Sequence, residues 1–141
     1  MNTIRAINDD MAIAGQIDWE QLKHLAVEGF QSVLNLRSPD ESDFWVDEQE
    51  KVEFLNLNYA NFPLRLGEID LETSARLLQY LNHLPKPVLV HCDSAMRSAA
   101  IALMWVATRQ GISLEKTLEQ ARQFGLLDCP DLSQIRFNSH A

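Results

Sequence analysis

The chain has 141 residues, 46 % apolar and 23 % charged, a balance that excludes wholesale disorder. Acidic residues outnumber basic ones by 20 to 12, for a formal net charge of −8, so the basic footprint needed for nucleic-acid binding is missing. Two cysteines, Cys92 and Cys129, cannot build a disulfide framework, and no zinc-ligand spacing accompanies them.

Residues 4–7 and 11–14 are short β-compatible runs separated by Asn8-Asp9-Asp10, which predicts a hairpin. Asp18, with Gln21 three residues on, is a capping-box pattern. The helix it opens carries Leu22, Leu25 and Ala26 on one face and is stopped by Gly29. Residues 32–36 predict a buried strand that ends at Arg37-Ser38-Pro39-Asp40. From Ser42 to Glu53 the chain is charged and predicts a short exposed helix anchored by Phe44, Trp45 and Val52. The acidic run from Asp40 to Glu53 reads as a solvated face. Residues 54–61 alternate apolar and polar side chains, predicting a strand stopped by Pro63.

Residues 71–84 place Leu71, Ala75, Leu78 and Leu81 on one helical stripe. Pro85-Lys86-Pro87 ends that helix and launches Val88-Leu89-Val90-His91, an unbroken apolar run suited to a central strand covered on both faces. An apolar helix over 97–109 stops at Gly111, and Ser113 caps a last helix that ends near Gly125. Met96, Met104 and Trp105 fall at helical spacing and read as core, whereas His24, His83 and His140 read as surface. Strands alternate with helices, so the expected architecture is one three-layer α/β domain with right-handed crossovers. The longest apolar run, residues 99–107, is far short of the roughly 20 needed to cross a bilayer. With no signal-peptide pattern at the start, a cytoplasmic protein without membrane contact is expected.

The chemistry concentrates in His91-Cys92-Asp93-Ser94-Ala95-Met96-Arg97-Ser98. This spacing puts a thiol at the C-terminal end of the central strand, where open α/β sheets form their ligand crevice. The loop runs into a helix N-terminus, so its N–H groups and the helix dipole favour an anion there. Arg97 returns a guanidinium to the same place, and the local field favours the thiolate of Cys92. Ser98 is expected to donate a hydrogen bond to that sulfur, and His91 to orient the loop from beneath. Asn35 and Arg37 end the neighbouring strand and are expected at the mouth of the site, with Arg65 guarding the entrance; Arg37 reads equally as a salt bridge to Asp40 or Glu41. The acidic average would then conceal one positive concavity around Cys92, Arg97, Arg37 and Arg65.

His91-Cys92, with Arg97-Ser98, resembles the phosphate-binding loop of cysteine-dependent protein phosphatases, the dual-specificity group in particular. Ala12-Ile13-Ala14-Gly15-Gln16, the segment from Gly29 to Arg37, Phe62-Pro63-Leu64 and Pro87 to Cys92 resemble the bacterial β-lactamase-hydrolase-like phosphatases, in that family's order and spacing. The resemblance spans roughly residues 4–127. It implies a three-layer phosphatase-like fold with a central, mostly parallel sheet of about five strands. It implies a phosphomonoester hydrolase in which Cys92 attacks phosphorus, with Arg97 and the amides of Asp93, Ser94, Ala95, Met96 and Ser98 holding the phosphoryl oxygens. The substrate would be a small phosphoester or a phosphorylated protein side chain, with no metal or organic cofactor and no nucleic acid.

Two departures bear on activity. Four residues rather than five separate Cys92 from Arg97, as is also usual in rhodanese-type sulfurtransferases, and Ala95 stands where glycine is usual. Asp93 adds a negative charge beside the cradle. Where a general acid is expected, the chain offers Arg65, then Glu68 and Asp70; Glu68 is the better acid candidate, and Asp70 also reads as a helix N-cap. A sulfurtransferase carrying a persulfide on Cys92 and a non-catalytic phosphate- or phosphoprotein-binding protein therefore stand beside the phosphatase. Cys129 is a weaker candidate, as a resolving thiol.

Overall fold

A computed structural model describes residues 3–123 apart from Leu66 and Glu68; Cys129, Gly125 and His140 fall outside the described residues. The elements in chain order are β1 (Arg5–Asn8), β2 (Met11–Ala14), α1 (Trp19–Val27), β3 (Ser32–Asn35) and α2 (Glu48–Phe54). They continue with β4 (Asn58–Asn61), α3 (Leu71–His83), β5 (Val88–His91), α4 (Met96–Arg109) and α5 (Leu114–Gln123). The expected hairpin of β1 and β2 forms, and its capped successor α1 carries both bonds of the capping box between Asp18 and Gln21. The sheet has the order β1-β2-β5-β3-β4, with β2, β5, β3 and β4 parallel. Its register sets Ala14, His91, Asn35 and Asn61 side by side at the C-terminal edge.

Alternate residues of each strand supply the two faces. Ala12, Ala14, Val33 and Leu89 pack with Leu22 and Leu25 of α1 and Val52 of α2. Met11, Ile13, Leu34, Val88 and Val90 face Leu77 and Leu81 of α3, Ala99 and Trp105 of α4, and Leu118 of α5. α4 is buried almost all round, and its small residues Ala99, Ala100 and Ala102 let it lie close against the sheet. That close seat fixes where the loop before it can go. Among the described residues no helix is long and apolar enough to cross a membrane.

Three expectations need correction. The strand expected over 54–61 is only β4; Phe54 closes α2, and Asn56 turns the chain at φ +64°, a conformation asparagine tolerates better than most residues. The alternation there belongs to a helix end and turn that bury Leu57. In α3 the buried stripe is Ser74, Leu77, Leu78 and Leu81, while Leu71 is 42 % exposed and Ala75 lies outside. The acidic run is not a uniform solvated face either: Glu48, at the start of α2, is fully buried.

Candidate active site

The loop after β5 is tied into the sheet on both sides. The Cys92 amide donates to the Ala14 carbonyl (3.2 Å), the Leu36 amide to the His91 carbonyl (2.9 Å) and the Gln16 amide to the Asp93 carbonyl (3.1 Å). The Ala95 carbonyl accepts from the Ala99 amide (2.9 Å), so two loop carbonyls are committed elsewhere. What the loop delivers is the first turn of α4, whose amides have no acceptor within the helix. Ala95 reaches that turn by adopting φ +73°, ψ 0° as the N-cap, a left-handed conformation that costs a non-glycine residue roughly 1–2 kcal/mol. The glycine-type turn is thus kept without glycine.

Cys92 is completely buried, and the Ser98 hydroxyl stands 3.3 Å from its sulfur and 3.3 Å from the Ala14 carbonyl. A hydroxyl has one proton, so it donates to one of these at a time, and a thiolate is the stronger acceptor. Arg97 is buried beneath the loop. Its guanidinium donates to the Leu64 carbonyl (2.8 Å), and forks onto both carboxylate oxygens of Glu41 (2.8 and 2.9 Å). It also meets Asp93 Oδ1 at 3.0 Å, and the same oxygen accepts from the Ser94 amide at 2.7 Å. Asp93 therefore lies on two of the groups expected to hold a phosphoryl oxygen.

These contacts set the ionisation of the carboxylates. The Arg97 fork is the main cause that holds Glu41 down to about 2, against the opposing effect of its burial. For Asp93, burial acts to raise the carboxyl, but hydrogen bonds from Arg97 and the Ser94 amide outweigh it and keep it below the usual range. Arg97 is in turn held more firmly protonated, chiefly by Glu41.

The remaining expected site residues are brought to the same edge of the sheet but not to the same task. Asn35 is buried, donates to the Tyr59 hydroxyl (3.1 Å) and accepts from the Arg37 amide (2.9 Å), which makes it a brace between β3 and β4. Burial is what pushes the Tyr59 phenol up to about 12, with the Asn35 hydrogen bond opposing and the Glu48 charge adding. Arg37 is also buried; it binds Gln16 Oε1 (2.8 Å), Glu41 Oε1 (3.2 Å) and the Ser42 carbonyl (2.5 Å) rather than the mouth. Arg65 is exposed and pairs with Asp40 (3.0 Å). The Ser38 side chain, and then Arg65, lower the Asp40 carboxyl. Asp70 caps α3 by accepting the Thr73 amide (2.8 Å), a role that explains it without acid chemistry. Glu68 lies outside the described residues.

Instead of one positive concavity, then, Arg97, Arg37 and Arg65 each face a carboxylate. The expected alternative for Arg37, a salt bridge to Glu41, is the one that forms, and sequence reasoning missed that the same Glu41 also takes the Arg97 fork. It missed two further residues at this edge altogether, Glu48 and Gln16. Glu48 meets His91 Nε2 through one oxygen (2.5 Å) and accepts from Gln16 Nε2 through the other (3.0 Å), with His91 and Glu48 both fully buried. A signal existed for Gln16, which ends the family-like segment at β2. For Glu48 the surrounding acidic run hid it. Among the described residues no cluster of three or more metal-ligating side chains occurs.

A mostly parallel five-stranded sheet, with a cysteine at the end of its middle strand and an arginine in the first turn of the next helix, is an α/β phosphatase-like fold. Residues 3–111 match the family described as the beta-lactamase hydrolase-like protein, phosphatase-like domain, and the chain belongs to that family, among the phosphoric monoester hydrolases. No curated protein sequence matches it. Solved structures share the fold at low identity. A DUF442 protein of Shewanella putrefaciens CN-32 aligns with a TM-score of 0.71 and 21 % identity over 88 % of this chain and 85 % of that one. TpbA of P. aeruginosa, captured with phosphotyrosine, gives 0.68 and 16 % over 94 % and 78 %. The core catalytic domain of the PP-IP phosphatase SIW14 of S. cerevisiae gives 0.65 and 15 % over 93 % and 86 %.

Proposed function

We propose that the chain hydrolyses phosphomonoesters, small phosphoesters or phosphorylated protein side chains, through a phosphocysteine on Cys92. The observation that carries this reading is the thiol of Cys92 held at the N-terminal turn of α4, 3.3 Å from the Ser98 hydroxyl, with Arg97 in the same turn. The thiolate attacks phosphorus; the S–P bond forms as the ester P–O bond breaks, and the leaving oxygen departs with the bonding pair. Water then attacks the phosphocysteine, releasing inorganic phosphate and restoring the thiolate, to which Ser98 donates. Arg97 and the first-turn amides of α4 offset the charge that builds on the phosphoryl oxygens.

Asp70 is committed to α3, so protonation of the leaving oxygen falls to Glu68 or to water, and the site favours leaving groups that need little help. Aryl phosphates should therefore turn over and simple alkyl phosphates should lag by about 100-fold or more, the usual contribution of a positioned acid. Turnover of an aryl phosphate, blocked by vanadate and reduced to background in Cys92→Ser, is the expected result. Loss of neither in Cys92→Ser would overturn the reading. Cyanide-dependent release of thiocyanate from thiosulfate, without phosphatase turnover, would replace it with sulfur transfer.

A further inference from the structure

His91 stands immediately before Cys92, yet a fully buried carboxylate from a distant helix is aimed at it. The contact belongs to a longer chain of hydrogen bonds. His91 Nε2 meets Glu48 Oε2; Glu48 Oε1 accepts from Gln16 Nε2 (3.0 Å); Gln16 Oε1 accepts from Arg37 (2.8 Å). Arg37 Nε donates to Glu41 Oε1 (3.2 Å), and Glu41 receives the fork from Arg97. His91 and Arg97, at the two ends of the anion loop, are thus joined through four intervening side chains, and the Gln16 amide holds the Asp93 carbonyl from the same side.

The chemistry of each member suits its place. A carboxylate accepts two donors, one from each neighbour, and the Gln16 carboxamide must turn its NH2 to Glu48 and its oxygen to Arg37, so its orientation is fixed. Stability alone does not ask for this. A buried polar pair is commonly no better than well-packed apolar residues of the same volume, and a leucine at position 48 would suit the apolar layer between α2 and the sheet. What the pair achieves that leucine would not is a defined orientation for the imidazole next to the nucleophile.

We propose that Glu48 and Gln16 are positioning residues for the phosphocysteine reaction: acting through His91 at one end and Arg37 and Glu41 at the other, they hold the Cys92–Arg97 loop in its reactive shape. The proposal rests on the phosphatase reading above. Neither residue touches substrate. Displacing a reacting group by a fraction of its proper geometry is known to cost orders of magnitude in rate, with little effect on ground-state binding.

The test compares Glu48→Gln, which keeps the shape but removes the charge, and Gln16→Ala, which cuts the circuit while leaving the His91–Glu48 contact. Val52→Ala, on the same helix and equally buried, reports what a packing defect alone does. Each is assayed with an aryl phosphate and by iodoacetamide alkylation of Cys92, followed by peptide mass spectrometry, with rates normalised to folded protein. Expected are a fall in kcat of about 10- to 100-fold in Glu48→Gln, a smaller fall in Gln16→Ala, and KM held within about threefold. Alkylation of Cys92 should slow in the same order, while Val52→Ala lowers Tm and leaves kcat and alkylation unchanged. If both circuit variants keep wild-type kcat and alkylation rates, the proposal is overturned while the phosphatase reading survives. If wild-type turnover is itself independent of Cys92, that reading fails, and the alkylation rates alone decide whether the circuit tunes the loop.

Discussion

Asp93 is the residue whose chemistry runs most directly against the reaction. Its carboxylate accepts from Arg97 at 3.0 Å and from the Ser94 amide at 2.7 Å, two donors that a phosphoryl group would otherwise take. It is the displaceable partner: its side chain is 55 % exposed, whereas Glu41, on the other side of the same guanidinium, is 20 % exposed and doubly bonded. Two like charges about 5 Å apart near a protein surface repel by roughly 1–3 kcal/mol, so a dianion that arrives beside Asp93 is penalised by that order. Asp93→Asn keeps the length of the side chain and removes the repulsion. Its KM for an aryl phosphate and its Ki for vanadate should both fall about tenfold, the rate equivalent of about 1.4 kcal/mol. An unchanged KM in steady-state kinetics would mean that Asp93 swings clear before substrate arrives. The residue type was legible from the sequence, but its direction was not: whether a side chain at a loop position meets solvent or the neighbouring arginine depends on the turn that follows.

That turn belongs to the scale of the element. α4 begins at a left-handed alanine, and the conformation is imposed because α4 must enter a space fixed by its own alanine-lined seat against the sheet. Relief of the strain by glycine gains roughly 1–2 kcal/mol, and the greater freedom of glycine in the unfolded chain takes back roughly 0.5–1 kcal/mol. Ala95→Gly should therefore raise stability by about 0.5–1 kcal/mol, read as a higher urea midpoint at unchanged m-value. A lower midpoint would show that burial of the Ala95 methyl is worth more than the strain. Elements were the most legible level of this protein. The capping box at Asp18, the unbroken run of β5 and the glycine stops at Gly29 and Gly111 are local signals, and each stands where the sequence put it. α2 was misread in character because burial of Glu48 is decided by His91, a partner 43 positions away that no local pattern names. The alternation after α2 failed for a related reason, since Leu55 and Leu57 are placed by the left-handed turn at Asn56 and not by a strand.

At the scale of the molecule the question is what field a phosphoester meets on approach. The formal charge is −8, and the three arginines that composition left available to offset it around the site are each engaged by carboxylates: Arg97 by Glu41 and Asp93, Arg37 by Glu41, Arg65 by Asp40. Such pairs cancel at a distance, so the long-range field at the mouth is that of the acidic whole, and only the α4 amides and Arg97 act once the anion is within contact range. Attraction at close range and repulsion at long range separate by their response to salt. Raising ionic strength from about 0.01 M to about 0.15 M shortens the screening length from about 30 Å to about 8 Å, which removes the distant repulsion and leaves a contact of 3 Å nearly untouched. With sodium chloride as the salt, kcat/KM for a dianionic aryl phosphate should therefore rise by about two- to fivefold across that range while kcat stays level. A phosphatase with an open basic mouth would show the reverse. A fall in kcat/KM with added chloride would mean that the arginine pairs open before substrate binds, and that the cradle presents the positive face its composition conceals.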